Sequence, residues 1–183
     1  MDFVQLQINY LDWDSQSVQA RKCYEVCVKH GKPVIVMEPV KGGTLANIPE
    51  QAEKLMRDFT PGASPASWAV RYAASLENVR VVLSGMSDYA QLEDNTGYMQ
   101  DFRPLSKAEY SILEQVTKIM NAAIAIPCTG CRYCVDGCPQ KIAIPEYFAL
   151  YNQEKQFGTG GFSINKVYYG NYTKTYGKAS ACV

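Results

Sequence analysis

Four of the chain's seven cysteines, Cys128, Cys131, Cys134 and Cys138, follow the pattern C-x2-C-x2-C-x3-C and lead directly into Pro139. Thiolates are soft ligands, and three of them at three-residue intervals can wrap one cubane of iron and sulfide. The longer x3 step and the proline turn the fourth cysteine away. In chains that carry two such clusters, a cysteine so placed ligates the other one, so the run implies a partner motif elsewhere. Zinc is the rival reading. Structural zinc sites usually set two C-x-x-C pairs well apart, whereas a close triplet followed by Cys-Pro suits a [4Fe-4S] cluster better.

Other residues with chemical potential carry weaker signals. Cys23 and Cys27 stand one helical turn apart and share a face, a pattern that reads as packing rather than ligation. His30, the single histidine, sits at the end of the same helix, where it can cap carbonyls. It is not read as catalytic. The segment Glu38-Pro39-Val40-Lys41-Gly42-Gly43 follows an apolar strand, and a Gly-Gly loop there can offer backbone N–H groups to phosphate, with Lys41 adding charge. Most Gly-Gly pairs are simple turns, so this signal is weak alone. Gly85, Ser87 and Asp88 lead into a short helix, Tyr89 to Asn95, whose N-terminus is a second possible anion site.

The chain has 183 residues, 47% hydrophobic and 20% charged, with a formal net charge of zero. This suits a globular protein of one ordinary domain plus a small appendage. No basic run predicts a nucleic-acid or anionic-membrane surface. No apolar run reaches the roughly 18 residues of a membrane span, and no basic-then-apolar leader opens the chain. An odd number of cysteines without export signals predicts a reducing cytoplasm, where thiols serve metals.

The elements that must position these residues alternate between strand and helix. Met1 to Leu11 reads as a strand in which Val4, Leu6, Ile8 and Tyr10 alternate with Gln5, Gln7 and Asn9. The amide face belongs either to solvent or to a barrel interior near a ligand. Ser15 to His30 reads as a helix with Val18, Tyr24, Cys27 and Val28 on its apolar stripe and Gly31 as its stop. Val34–Met37 is a wholly apolar strand. Pro49 to Phe59 is helical, and Ser64 caps a further helix that has Pro65 at its first position and Trp68, Ala69, Tyr72, Ala73 and Leu76 on its buried face. Arg80 to Leu83 is a third buried strand. Ser106 and Glu109 form a capping box, stapled by Leu105 and Tyr110, for a helix that runs to about Ile124 and delivers the chain to the cysteines. Beyond them lies a helix over Glu146 to Asn152. The Gly-, Tyr-, Asn- and Lys-rich stretch from Gln153 onward reads as a linker, with packing of Tyr168, Tyr169, Tyr172 and Tyr176 as the alternative. Three successive strand–helix units imply a parallel sheet, too small to stand alone but suited to an arc of a barrel.

Residues 2–152 closely resemble the C-terminal portion of iron–sulfur-containing aldo/keto reductases, (β/α)8 barrels with a nicotinamide cofactor and a ferredoxin-like extension. Phe3-Val-Gln-Leu-Gln-Ile-Asn-Tyr10 looks like the sixth barrel strand, with Gln7 on the glutamine that holds the nicotinamide carboxamide. Met37-Glu-Pro-Val-Lys-Gly-Gly-Thr-Leu45 looks like the seventh strand and its pyrophosphate-side loop. The resemblance thus assigns cofactor contacts to Met37, Glu38, Pro39, Val40, Lys41, Gly42, Gly43 and Leu45. Leu83 to Asn95 is similar to the segment after strand eight, which implies adenosine contacts for Gly85, Ser87, Gln91, Asp94 and Asn95. Two departures stand out. Met37 replaces the aromatic ring that many relatives stack on the nicotinamide, and Gln91 stands where NADP-preferring relatives often carry arginine, so the choice between NAD and NADP is open.

The resemblance implies the following organisation: α/β, the last three strand–helix units of a (β/α)8 TIM barrel over residues 1–124, then a small, mostly helical ferredoxin-type 4Fe-4S extension over 125–183. The family's Asp, Tyr, Lys and His constellation has no counterpart here, so no catalytic residue is assigned. Lys178-Ala-Ser-Ala-Cys182-Val183 resembles the lead-in to a second cysteine run, which makes Cys182 a fifth metal ligand and the chain a fragment of a protein with two clusters. The implied function is nicotinamide-dependent carbonyl or alcohol chemistry coupled to iron–sulfur electron transfer, with a small substrate and an electron-transfer partner, and the chain alone inactive. A non-catalytic iron–sulfur electron-transfer or scaffold module is the alternative, and a zinc-stapled interaction domain a third.

Overall fold

The structure, a computed structural model, describes residues 1–15, 18–122, 124–126, 128, 131–156 and 163–182. The chain divides into two compact units, Met1–Ile119 and Met120–Val183.

The first unit is built on three parallel strands, β1 (Val4–Gln7), β2 (Val34–Met37) and β3 (Val79–Val82), in spatial order β1-β2-β3. Parallel neighbours need long crossovers. These are supplied by α1 (Ala20–Lys29) and by the pair α2 (Glu50–Phe59) and α3 (Pro65–Ala74). The central strand is the most apolar, and its Val34 and Val36 are wholly buried. The helix α3 begins where sequence places it: Ser64 Oγ accepts the Ser67 N–H at 3.0 Å and Pro65 opens the first turn. It buries Ser67, Trp68, Ala69, Val70, Tyr72 and Ala73, and Phe59 meets Trp68 edge-on at 6.0 Å. Two more helices follow, α4 (Tyr89–Gln100) and α5 (Lys107–Ala122). The expected capping box forms at the start of α5. Ser106 N–H donates to Glu109 at 2.7 Å, Glu109 N–H donates to Ser106 Oγ at 3.3 Å, and Arg71 pairs with Glu109 at 2.8 Å.

Several boundaries differ from the sequence reading for local reasons. The first strand is Val4–Gln7 rather than residues 1–11, and past its C-terminal end the Asp12 N–H donates to Asn9 Oδ1 at 2.9 Å and turns the chain. The first helix starts at Ala20, not Ser15: Gln19 has φ 54°, which no right-handed helix admits. Gln16 and Ser17 of that expected helix lie outside the described residues. Of its expected stripe only Cys27 is buried, while Val28 is 49% exposed. The stop at Gly31 is as expected, with φ 60°. The helix α4 runs past Asn95 to Gln100, continuing through Gly97, which has no left-handed φ.

The second unit contains α6 (Tyr133–Asp136), α7 (Ile144–Gln156) and α8 (Ile164–Tyr172). Its core is Ile142, Ala143 and Tyr147, against which Cys138, Ile144, Tyr169 and Tyr172 pack. The expected linker is therefore partly a helix. Tyr169, Tyr172 and Tyr176 recur at helical spacing, and the Tyr147 ring lies 5.0 Å from that of Tyr169 and 6.3 Å from that of Tyr172. Residues 157–162 of that stretch lie outside the described residues. Gly177 closes the unit: its carbonyl accepts Tyr147 Oη–H at 2.8 Å and its N–H donates to Lys141 at 3.1 Å. A Cβ there would lie 2.1 Å from the Gln140 carbonyl oxygen, so only glycine fits.

Candidate functional site

Parallel strands deliver their loops to one edge of the sheet, and ligands of such folds bind outside the strands' C-terminal ends. Here pairing persists to that edge. Gln7 stands opposite Met37, Ile8 N–H reaches the Met37 carbonyl at 3.3 Å, and Leu83 N–H reaches that of Val36 at 2.9 Å. The loops after β2 and β3 therefore leave side by side.

Between them lies a cleft of about 660 Å³. Met37, Glu38, Pro39, Val40, Gly42 and Gly43 line it from one side. Leu83, Ser84, Gly85, Met86 and Ser87 come from the β3 loop, and Gln91, Asp94 and Asn95 from the first turns of α4. Ala46 and Ala66 complete the wall. The cleft thus brings together every residue assigned to a cofactor by resemblance except Gln7, Lys41 and Leu45. Leu45 is wholly buried. Met86 and Ser84 are additions that no sequence signal singled out.

Local structure holds the walls. The β2 loop is left-handed at Glu38 (φ 52°), Lys41 (φ 50°), Gly42 (φ 61°) and Gly43 (φ 89°). It is closed by Lys41 N–H to Glu38 O at 3.0 Å and Gly43 N–H to Val40 O at 3.1 Å. On the opposite wall Asn95 donates to Ser84 Oγ at 3.0 Å, Tyr98 donates to Asn95 Oδ1, and Ser64 Oγ–H bonds Asp94 at 2.5 Å. The expected anion site at the α4 N-terminus is partly taken: the Asp88 carboxylate accepts Gln91 N–H at 2.8 Å, and Gln91 Oε1 returns to Ser87 N–H at 2.8 Å. The lining carries two carboxylates, Glu38 and Asp94, and neither lysine nor arginine. A Cβ added at Gly42, Gly43 or Gly85 meets no atom within 4 Å. The backbone there borders open space.

Gln7 and Lys41 belong instead to a buried polar network that sequence did not foresee. Its hub is Asp12, 6% exposed, beside fully buried Asn9. Asp12 accepts from Lys41 Nζ at 2.6 and 2.8 Å, from Gln7 Nε2 at 3.2 Å and from Asn9 Nδ2 at 3.1 Å. The available signal was an asparagine in the amide stripe, whose side chain can bond a nearby backbone N–H and turn the chain, as Asn9 Oδ1 does with that of Asp12.

The cysteines are differently placed. Cys128, Cys131, Cys134 and Cys182 are exposed, and Cys138 is half-buried. Cys134 lies in α6, preceded by Arg132 at φ 64°, which pairs with Glu146. Cys138 Sγ accepts the Ile142 N–H at 3.5 Å. Four thiols are chemically apt donors for iron or zinc. Among the described residues, however, no three His, Cys, Asp or Glu side chains converge as a metal site, and Thr129 and Gly130 lie outside those residues. Cys27 is buried in α1, and burial, with the neighbouring Cys23, pushes its thiol above the ordinary range. That is the behaviour of a packing residue. His30 is the C-cap of α1. A second cavity, about 440 Å³ within the Met120–Val183 unit, is lined chiefly by Ile126, Tyr147, Phe148, Leu150, Tyr151 and Tyr169 and by none of the cysteines. No helix among the described residues is long and apolar enough to cross a membrane.

A parallel α/β sheet with loops converging at its C-terminal edge defines the class, and the sequence specifies the family. Residues 1–118 match the model of the aldo/keto reductase family, and the chain belongs to that family. Among solved structures it is similar to the aldo-keto reductase AKR11C1 from Bacillus halodurans. The apo form matches at 22% identity and TM-score 0.48 over 63% of this chain, and the holo form at 21% identity and TM-score 0.49 over 63%. The chain spans 43% and 42% of those two chains. No curated protein sequence matches it significantly.

Proposed function

We propose that the cleft holds the pyrophosphate and adenosine portion of a nicotinamide dinucleotide, and that the protein to which this chain contributes is an oxidoreductase acting on small carbonyl or alcohol substrates. The observation that carries the reading is that two loops far apart in sequence, 38–43 and 84–87, wall one cleft together with the first turns of α4. When bound, the nicotinamide supplies hydride to a carbonyl or takes it from an alcohol. This chain's part is to bind and orient. Gln7 and Met37, register partners at the strand ends, are the residues that the resemblance gives to the carboxamide and the ring, and glycines leave main-chain groups accessible for phosphates. No tyrosine is given the role of general acid, so the chain alone is proposed to bind without turnover. The acidic lining favours NADH over NADPH, whose 2′-phosphate has no lysine or arginine to meet there.

The test is titration of the chain with NADH and NADPH, followed by fluorescence. NADH should bind, and Gly85→Leu, which fills open space without a left-handed φ, should weaken it about tenfold or more with the fold intact. Binding unaffected by that substitution would place the cofactor elsewhere, and no binding would refute the reading.

For the second unit we propose [4Fe-4S] ligation by Cys128, Cys131 and Cys134, with Cys138 and Cys182 serving a second cluster, in a cytoplasmic protein that passes electrons to a partner. The C-x2-C-x2-C-x3-C-P spacing and the N–H donated to Cys138 Sγ support it. Anaerobic reconstitution with iron and sulfide should give a labile or three-iron centre, and zinc uptake with no sulfide incorporated would defeat the proposal. The alternative is an iron–sulfur module without catalysis, since no residue of this chain is assigned a catalytic role. Redox activity in a reconstituted chain that ignores NADH would select it.

A further inference from the structure

We propose that Asp12 is a positioning residue: through Lys41 and Asn9 it clamps the β2 loop in the left-handed conformation that shapes one wall of the cleft. The inference rests on the cofactor reading for its binding consequence but not for its structural one. Glu38 and Lys41 are not glycines, yet both hold positive φ, 52° and 50°. L-residues keep such a conformation only where surrounding groups over-determine it. Both residues are tied to the same place. Lys41 Nζ donates to the two Asp12 oxygens at 2.6 and 2.8 Å. The Glu38 carbonyl accepts from Asn9 Nδ2 at 3.4 Å, and Asn9 is itself bonded to the Asp12 carboxylate and backbone N–H. One carboxylate therefore secures the start of the loop through Asn9 and its middle through Lys41.

The same geometry gives Lys41 a role different from the one its sequence context suggests. A lysine beside Gly-Gly invites reading as a phosphate ligand. Here the ammonium is engaged with Asp12, the side chains of the pair are only 23% and 9% exposed, and Lys41 is absent from the cleft lining. Its charge is met by Asp12 and its length serves as a strut. Gln7, which donates to the same carboxylate at 3.2 Å, is positioned by it too.

The experiment compares the wild-type chain with Asp12→Asn, Lys41→Met, the double variant and Lys41→Arg by amide hydrogen exchange and by NADH titration. Without any cofactor, Asp12→Asn and Lys41→Met should each speed exchange of the loop amides of Lys41, Gly43 and Leu45 about tenfold or more, with β2 unchanged. The double variant should add little to either, and Lys41→Arg, which can pair with the carboxylate in a fork, should restore most of the protection. NADH affinity should fall alongside loop protection. Loop exchange unchanged in both single variants would overturn the clamp. So would Asp12→Asn binding NADH more tightly while Lys41→Met binds it more weakly, because Lys41 would then be an anion ligand that Asp12 restrains. A wild-type chain that binds no NADH would refute the cofactor reading alone, and the exchange data would still decide the clamp. Lys41→Met keeps the question answerable if Asp12→Asn does not fold.

Discussion

The two units present their candidate ligand sites in opposite states. In Met1–Ile119 the cleft walls are held by the fold's own bonds: strand pairing at Gln7 and Met37, the Asp12 network under one loop, and Asn95 and Asp94 bonds beneath the other. In Met120–Val183 three of the run's cysteines are exposed, and no convergent donor set exists among the described residues. The difference is the one expected from the two proposed ligands. Neutral and amide groups can be gathered at little cost before a ligand arrives. A thiolate site is completed by the metal itself, which displaces the thiol protons as it binds, so binding and local folding are coupled.

The largest expected effect tests what supports the organised side. Trp68 is wholly buried in α3, and Trp68→Ala should cost about 3–5 kcal/mol in a urea titration read by Trp13 fluorescence. If the cleft-loop amides keep their protection in that variant, the cleft does not depend on this core and the contrast loses its basis. Next comes iron and sulfide loading. It should stabilise the cysteine unit by about 2.7 kcal/mol at a hundredfold excess over the dissociation constant, read as slowed amide exchange around Ile142 and Tyr147 and abolished by Cys134→Ser. Exchange that stays the same while a cluster forms would mean its site is as preformed as the cleft.

A smaller effect concerns acid. Burial alone would raise the Glu109 carboxyl, but bonds from Ser106 and Arg71 outweigh it and hold the group below the usual carboxylate range. The native value is depressed, so this stabilisation is complete above the ordinary glutamate pKa of about 4.3. It is lost as pH falls through the lower native value. Glu109→Gln should cost about 1 kcal/mol at neutral pH and flatten that part of the acid limb, as measured by urea midpoints against pH. A limb of unchanged steepness would assign acid sensitivity to other carboxylates. The smallest effect is Tyr10→Phe. The Tyr10 hydroxyl is buried with no hydrogen-bond partner among the described residues, and burial pushes its pKa above the ordinary phenol range. Its removal should leave stability unchanged or raise it by up to about 1 kcal/mol. A loss beyond that would reveal a bond to the hydroxyl and a better satisfied core than the one described.

Legibility in the sequence tracked locality. The Ser64 cap with Pro65, the Ser106–Glu109 box, the Gly31 stop and the bounds of β2 rest on neighbours within a few residues, and each was readable. The β1 terminus was not, because a local bond from the Asp12 N–H to the Asn9 side chain overrode a period-two pattern that continues to Tyr10. The tyrosine helix α8 was hidden by glycine- and asparagine-rich composition, although Tyr169 and Tyr172 already stood at helical spacing on the face that meets Tyr147. In the cleft, sequence resemblance named most of the lining residues, but it also assigned Lys41 and Leu45 to the ligand. One is engaged by Asp12 and the other is core.

The sequence by itself determined which residues could ligate, cap and turn, because those properties belong to side chains and their immediate spacing. It also determined family membership through residues 1–118. Tertiary structure decided which charges face a ligand and which are already satisfied. Lys41 meets an aspartate 29 residues earlier in the chain, and only the register of two parallel strands brings that pair within bonding distance.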